Sequence, residues 1–125
     1  MKIIKKILLE KSDVIMFAYL FGSHARGSAT EKSDIDIAVY LEDQSCQCLF
    51  DIKTHLYLEF SRALKRNDID LVVMNTCKNL VLLHRIVTHG ILIYSQDEDK
   101  VSAYEQKILH TAIDFKYQRQ MAMGV

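Results

Sequence analysis

The sequence contains no proline, and no low-complexity tract or internal repeat interrupts it, so nothing marks a linker that would divide the chain into independent parts. Cysteine is scarce. Cys46, Cys48 and Cys77 make an odd count without a C-x-x-C pair, which argues against a disulfide framework or a zinc site and fits a reducing cytoplasm. An excess of charge of either sign is also missing: 16 basic and 16 acidic side chains cancel. The overall charge therefore gives no reason for sequence-blind binding to nucleic acid or to an anionic membrane. Lys2, Lys5 and Lys6, and again Arg62, Lys65 and Arg66, read as solvated helix faces, and no stable direct nucleic-acid binding is expected. Long hydrophobic runs are absent too. Ile7-Leu8-Leu9 is cut off by Glu10, Lys11 and Asp13 before it could serve as a signal-peptide core, and no stretch approaches membrane-spanning length. The expectation is a cytoplasmic protein without a membrane partner.

What is present is an ordinary globular composition, 50% hydrophobic and 26% charged over 125 residues, which predicts one domain over residues 1–125. Ile3, Ile4, Ile7 and Leu8 recur at helical spacing in an opening amphipathic helix. Val14 to Phe21 is an apolar run of strand length closed by Gly22-Ser23. Asp34 to Leu41 alternates carboxylate and apolar side chains as a second strand. Leu49, Ile52, Leu56, Phe60 and Leu64 mark a helix that Ser45 can cap, and Cys46 and Cys48 are helix-start residues. Asn67-Asp68 makes a turn into a third strand, Ile69 to Met74. Leu80, Leu83, Ile86 and Val87 form a helix ending at Gly90 as a left-handed stop, before a short fourth strand, Ile91 to Tyr94. A last helix begins near Asp99, with Ser102 and Glu105 at capping-box spacing and Val101, Tyr104, Ile108, Ala112 and Phe115 on one side. The fold class is α/β in the broad sense (α+β), a small mixed sheet flanked by helices, with a core over about 10–95 and a C-terminal helix over about 99–122.

The stretch that carries chemistry is Gly22-Ser23-His24-Ala25-Arg26-Gly27-Ser28, followed after a polar spacer by Ser33-Asp34-Ile35-Asp36. Gly22 allows a sharp turn and close approach of backbone to a ligand, and Ser23 adds a hydroxyl, so the bend can cradle phosphate. Asp34 and Asp36 project to one side of a strand, with about 6 to 7 Å between their Cα atoms. Two carboxylates this close repel unless a cation neutralises them, and an oxygen-loving ion such as Mg²⁺ suits them. A third carboxylate from a neighbouring strand would complete the site. Asp70 is chosen over Asp68 because it sits between Ile69 and Leu71 inside a strand, where an unpaired charge is costly. Arg26 either pairs with a phosphate or braces the loop against Asp34 or Glu31. His24 reads as a polar-loop residue ahead of the alternative, an acid or phosphate donor, and His55, His84, His89 and His110 show no ligand spacing and read as structural or exposed.

These residues resemble the signature of the polymerase-beta-like nucleotidyltransferase superfamily, in its minimal nucleotidyltransferase branch. Gly22-Ser23, Ala25-Arg26-Gly27, Ser33-Asp34 and Asp36 agree with the family pattern, and Asp70 stands where the third acid belongs. The resemblance implies Asp34, Asp36 and Asp70 as catalytic and metal-holding residues for a pair of Mg²⁺ ions, and Gly22, Ser23 and Arg26 as nucleotide-binding residues, with ATP as substrate. Short members of this branch are antitoxins that transfer AMP to a tyrosine hydroxyl of a HEPN-domain ribonuclease toxin of the HepT kind. The resemblance thus implies such a toxin as partner. Two other readings stay open: a nucleotidyltransferase acting on a small hydroxylated molecule, and a non-catalytic antitoxin that only occludes its partner.

Overall fold

The computed structural model describes residues 2–22, 27, 34–42, 46–65 and 68–122, with backbone alone at 2, 46–48 and 112–122. Within them the order is α1 (Lys2–Glu10), β1 (Ile15–Phe21), β2 (Ile35–Leu41), α2 (Cys46–Leu64), β3 (Ile69–Val73), α3 (Leu80–His89), β4 (Ile91–Ser95) and α4 (Glu98–Ala122). The strands form one sheet in the order β3-β2-β1-β4. β1 runs antiparallel to both β2 and β4, whereas β2 and β3 are parallel, so the sheet is mixed as the sequence predicts.

Both faces of the sheet are covered, and the strand sequences say why. Six of the seven β1 residues are buried, which requires apolar partners on either side. On one face Leu20, Ile37, Val39, Leu41, Leu71 and Val73 pack with Ile4, Ile7 and Leu8 of α1 and Leu49, Leu56 and Phe60 of α2. On the other, Phe17, Tyr19, Phe21 and Ala38 pack with Leu83 and Ile86 of α3 and Val101 and Ile108 of α4. α1, α2 and α3 each contribute residues three or four apart to these cores, and α4 contributes Val101 and Ile108, with Tyr104 packed against them. Because β2 and β3 alternate, their odd residues fill the first core, and Asp36 and Asp70 belong to the second face, the side covered by α3 and α4.

Three sequence expectations need correction. Gly90 is not a left-handed stop: its φ of −74° and ψ of 163° are extended. Glycine is required there by close approach instead, since a Cβ would strike the carbonyl oxygen of Ile86 and press on that of Leu20. Ser102 and Glu105 lie inside α4 and do not cap it. The helix starts at Glu98, and Asp97 Oδ1 accepts from the Asp99 N–H at 3.0 Å. Asp34 stands one residue ahead of β2 and is exposed. Ser45 and Asn67 lie outside the described residues, as do the side chains of Cys46, Cys48, Ala112 and Phe115. Asn79 caps α3, its Oδ1 accepting from the Leu82 N–H at 3.2 Å.

Candidate active site

The site is assembled by strand register. Phe21, the last residue of β1, pairs with Asp36 on β2, and Asp36 pairs with Asp70 on the parallel strand β3. Adjacent strands are about 4.8 Å apart, and residues side by side point to the same face. Asp36 and Asp70 are therefore neighbours on one side of the sheet, with the chain leaving β1 beside them. A further backbone bond holds the carboxylate strands together, the Ile35 N–H donating to the Asp68 carbonyl at 3.0 Å. Gly22 follows β1 with φ +73°, a left-handed conformation that favours glycine. It lies so near Asp36 that a Cβ would collide with the Oδ2 atom of that carboxylate. Gly27 also has positive φ, but a Cβ there would meet nothing within 4 Å. Ser23, His24, Arg26 and Glu31 lie outside the described residues.

An open cleft of about 510 Å³ lies over the Phe21–Asp36 end of this row, lined by Phe21, Gly22 and Asp36 on the sheet side and by Leu82, Arg85 and His89 on α3. The helix residues recur at steps of three and four and share one flank of α3. Sequence reading treats His89 as exposed or structural and passes over Arg85. His89 is exposed, and it also forms part of the cleft wall. The spacing Leu82, Arg85, His89 is visible in the sequence, but only the packing of α3 shows which strand end it overlooks. Asp70 borders a different cleft, of about 300 Å³, at the outer edge of the sheet, against Phe50, Lys53, Thr54 and Tyr57 of α2.

Among the described residues no group of three or more His, Cys, Asp or Glu side chains stands close enough to hold a metal ion. Asp36 and Asp70 stand in register on β2 and β3, and Asp34 is exposed one residue ahead of β2. All three donors are hard carboxylate oxygens. Mg²⁺ is ordinarily held by one or two carboxylates completed by substrate phosphates and water rather than by a closed protein cage, and an open carboxylate pair fits that mode of binding.

The last helix uses Tyr104 for packing. Tyr104 is tilted against Phe17 and Tyr40, at centroid distances of 5.3 and 4.9 Å, while Phe17 and Tyr40 stack at 4.9 Å. The Tyr19 hydroxyl donates to Glu105 of α4, tying β1 to the helix across the second core. Burial above all raises the Tyr19 hydroxyl pKa, and the bond to Glu105 and the charge of Glu105 add to it. Burial likewise raises that of Tyr104, with Tyr40 and Cys77 contributing. No helix among the described residues is long and apolar enough to cross a membrane.

Comparison with known proteins agrees with this geometry. The chain is 26% identical over 123 residues to the protein adenylyltransferase MntA of Aphanizomenon flos-aquae, covering 87% of this chain and 76% of the relative. It is 33% identical over 94 residues to the protein adenylyltransferase MntA of Shewanella oneidensis, covering 75% and 64%. Among solved structures it resembles a toxin–antitoxin structure determined with AMP-PNP at 27% identity and a TM-score of 0.79, covering 98% of this chain and 94% of that one. Residues 2–99 match the polymerase beta nucleotidyltransferase family, and with the match running from α1 into the start of α4, the chain belongs to that family.

Proposed function

We propose that this chain is the antitoxin of a toxin–antitoxin pair and a protein adenylyltransferase, moving AMP from ATP to a tyrosine hydroxyl of a HEPN-domain ribonuclease toxin and so neutralising it. The observation that carries the reading is the in-register pair of Asp36 and Asp70 beside the left-handed Gly22 turn, in a chain of this family. The substrate and the partner are supported by likeness to relatives named protein adenylyltransferase and to a toxin–antitoxin structure holding an ATP analogue.

In this reaction the acceptor oxygen forms a bond to the α-phosphorus of ATP, the bond from that phosphorus to the bridging oxygen breaks in line, and pyrophosphate leaves. Asp34, Asp36 and Asp70 are the residues that would hold Mg²⁺, which when bound lowers the pKa of the attacking hydroxyl and offsets the charge of the triphosphate. Asp70, exposed on the outer strand, accepts the proton of the incoming hydroxyl. Gly22 sets the bend and, by its closeness to Asp36, leaves that carboxylate little room to turn away. Ser23 and Arg26, in the segment after the bend, are assigned to the phosphates from the family pattern.

The test is to incubate the protein with ATP, Mg²⁺ and the product of the adjacent gene, then weigh that product by intact mass spectrometry. Mass increments of whole AMP units, absent with Asp36→Asn, are expected. Tight binding of the partner without any increment would favour mere occlusion. Partner-independent transfer to a small hydroxylated compound would point to the other reading.

A further inference from the structure

We propose that Arg85, with His89 one turn on, forms the wall on α3 that receives the polyphosphate tail of the nucleotide, a role outside the glycine–serine bend. This rests on the nucleotidyl-transfer reading given above.

Electrostatics favours such a wall beside the carboxylates that would hold Mg²⁺. A nucleoside triphosphate carries several negative charges, and the floor of the cleft presents the Asp36 carboxylate with Asp70 beside it. Like charges so arranged oppose entry unless countercharge stands within a few ångströms. The described lining of the 510 Å³ cleft contains one fixed cation able to supply it, Arg85, and beside it His89, whose ring N–H can donate a hydrogen bond to a phosphate oxygen. They sit one turn apart on the same flank of α3, so both can address one extended anion. Among the described residues the Arg85 side chain makes no ion pair, which leaves its planar fork of donors available for phosphate oxygens. Phe21 and Leu82 contribute the apolar remainder of the lining, and the volume lies within the range of small-molecule sites.

The placement is also fixed by the fold. At the end of α3 the Gly90 N–H donates to the Ile86 carbonyl at 2.8 Å. A Cβ on Gly90 would strike that same oxygen and press on the Leu20 carbonyl of β1. Gly90 thus lets the helix end close onto β1 two residues before Gly22. His89, its immediate neighbour, is held at a set position over the site, with Arg85 one turn behind.

The experiment compares wild type with Arg85→Ala, Arg85→Lys, His89→Ala and the double alanine variant. Calorimetry gives the Kd for ATP and for AMP with Mg²⁺ present, and the transfer assay gives KM and kcat for ATP. Both residues are exposed, and melting curves confirm that the variants fold. Arg85→Ala should weaken ATP binding about tenfold or more, the size expected for loss of a charge-assisted hydrogen bond. His89→Ala should do less, and Arg85→Lys should recover part of the affinity. AMP binding should change far less than ATP binding, because AMP lacks the tail. ATP affinity within about twofold of wild type in the double variant, or equal losses for ATP and AMP, overturns the assignment. Wild-type protein that binds ATP but transfers no AMP to any partner counts against the proposed reaction alone, because the Kd comparison still decides the role of the wall. Absence of ATP binding by wild type overturns both.

Discussion

The backbone of Gly22 lies directly against the carboxylate of Asp36, with no space between them for a methyl group. Gly22→Ala therefore carries two penalties. A non-glycine residue at φ +73° costs about 1–2 kcal/mol, and the added carbon displaces the carboxylate. Gly27→Ala incurs the first penalty alone, since its φ is +72° but a methyl group there would have nothing within 4 Å. Urea denaturation should show both variants weakened, Gly22→Ala the more. Transfer should fall on the order of a hundredfold in Gly22→Ala, the cost of misplacing a reacting group by about an ångström. Equal behaviour of the two variants would show that Asp36 moves aside freely.

Asp36 and Asp70 stand side by side on parallel strands, and like charges so placed cost roughly 0.2–1 kcal/mol. In metal-free buffer Asp70→Asn should melt at the same temperature as wild type or higher, while losing transfer. Asp34→Asn, at an exposed position before the strand, should behave similarly. Added Mg²⁺ with ATP should raise the melting temperature of wild type, and should raise that of Asp70→Asn much less. A clear loss of stability in metal-free Asp70→Asn would make the carboxylate a structural group.

Much of this is legible in the sequence, and the reasons are physical. Alternation in Asp34-Ile35-Asp36-Ile37 places both carboxylates opposite the isoleucines, and the isoleucines do face the core under α1 and α2. The parallel pairing that sets Asp36 beside Asp70 is not legible, because register between strands separated by a helix depends on how that helix packs. For the same reason Arg85 gives no signal: an arginine on a helix flank reads as solvated until the strand end below it is known. Gly90 reads as a helix stop, yet its need for glycine is a contact with Ile86 and Leu20, and a contact between distant segments leaves no local pattern.

Asn75 closes the far end of β2 as a strand would. Its Oδ1 accepts from the Leu41 N–H and its Nδ2 donates to the Leu41 carbonyl, each at 2.8 Å. Asn75→Ala leaves both backbone groups of Leu41 without these partners, at about 2–3 kcal/mol by urea denaturation. Asn75→Asp keeps the acceptor but sets a carboxylate oxygen against the Leu41 carbonyl, so it should rescue little. A loss below about 0.5 kcal/mol in Asn75→Ala would show that water replaces the side chain at no cost.

Tyr19 and Tyr104 predict opposite outcomes for the same chemical change. Tyr19→Phe removes the bond to Glu105, a hydrogen bond to a charged group, and should cost about 1.5–3 kcal/mol. The Tyr104 hydroxyl is buried and has no hydrogen-bond partner among the described residues, so Tyr104→Phe relieves a desolvated group and should be neutral or stabilising by up to about 1 kcal/mol. Both hydroxyls have pKa values raised by burial. Below about pH 10, the ordinary tyrosine value, neither state ionises and stability is unaffected. Above it the unfolded chain releases these protons while the folded chain retains them, so stability falls as pH rises. The urea midpoint should hold between about pH 7 and 9 and drop beyond about 10, less steeply in Tyr104→Phe. An unchanged slope in that variant would mean that Tyr104 ionises in the folded protein as it does in water, and that its ring is not sealed between Phe17 and Tyr40.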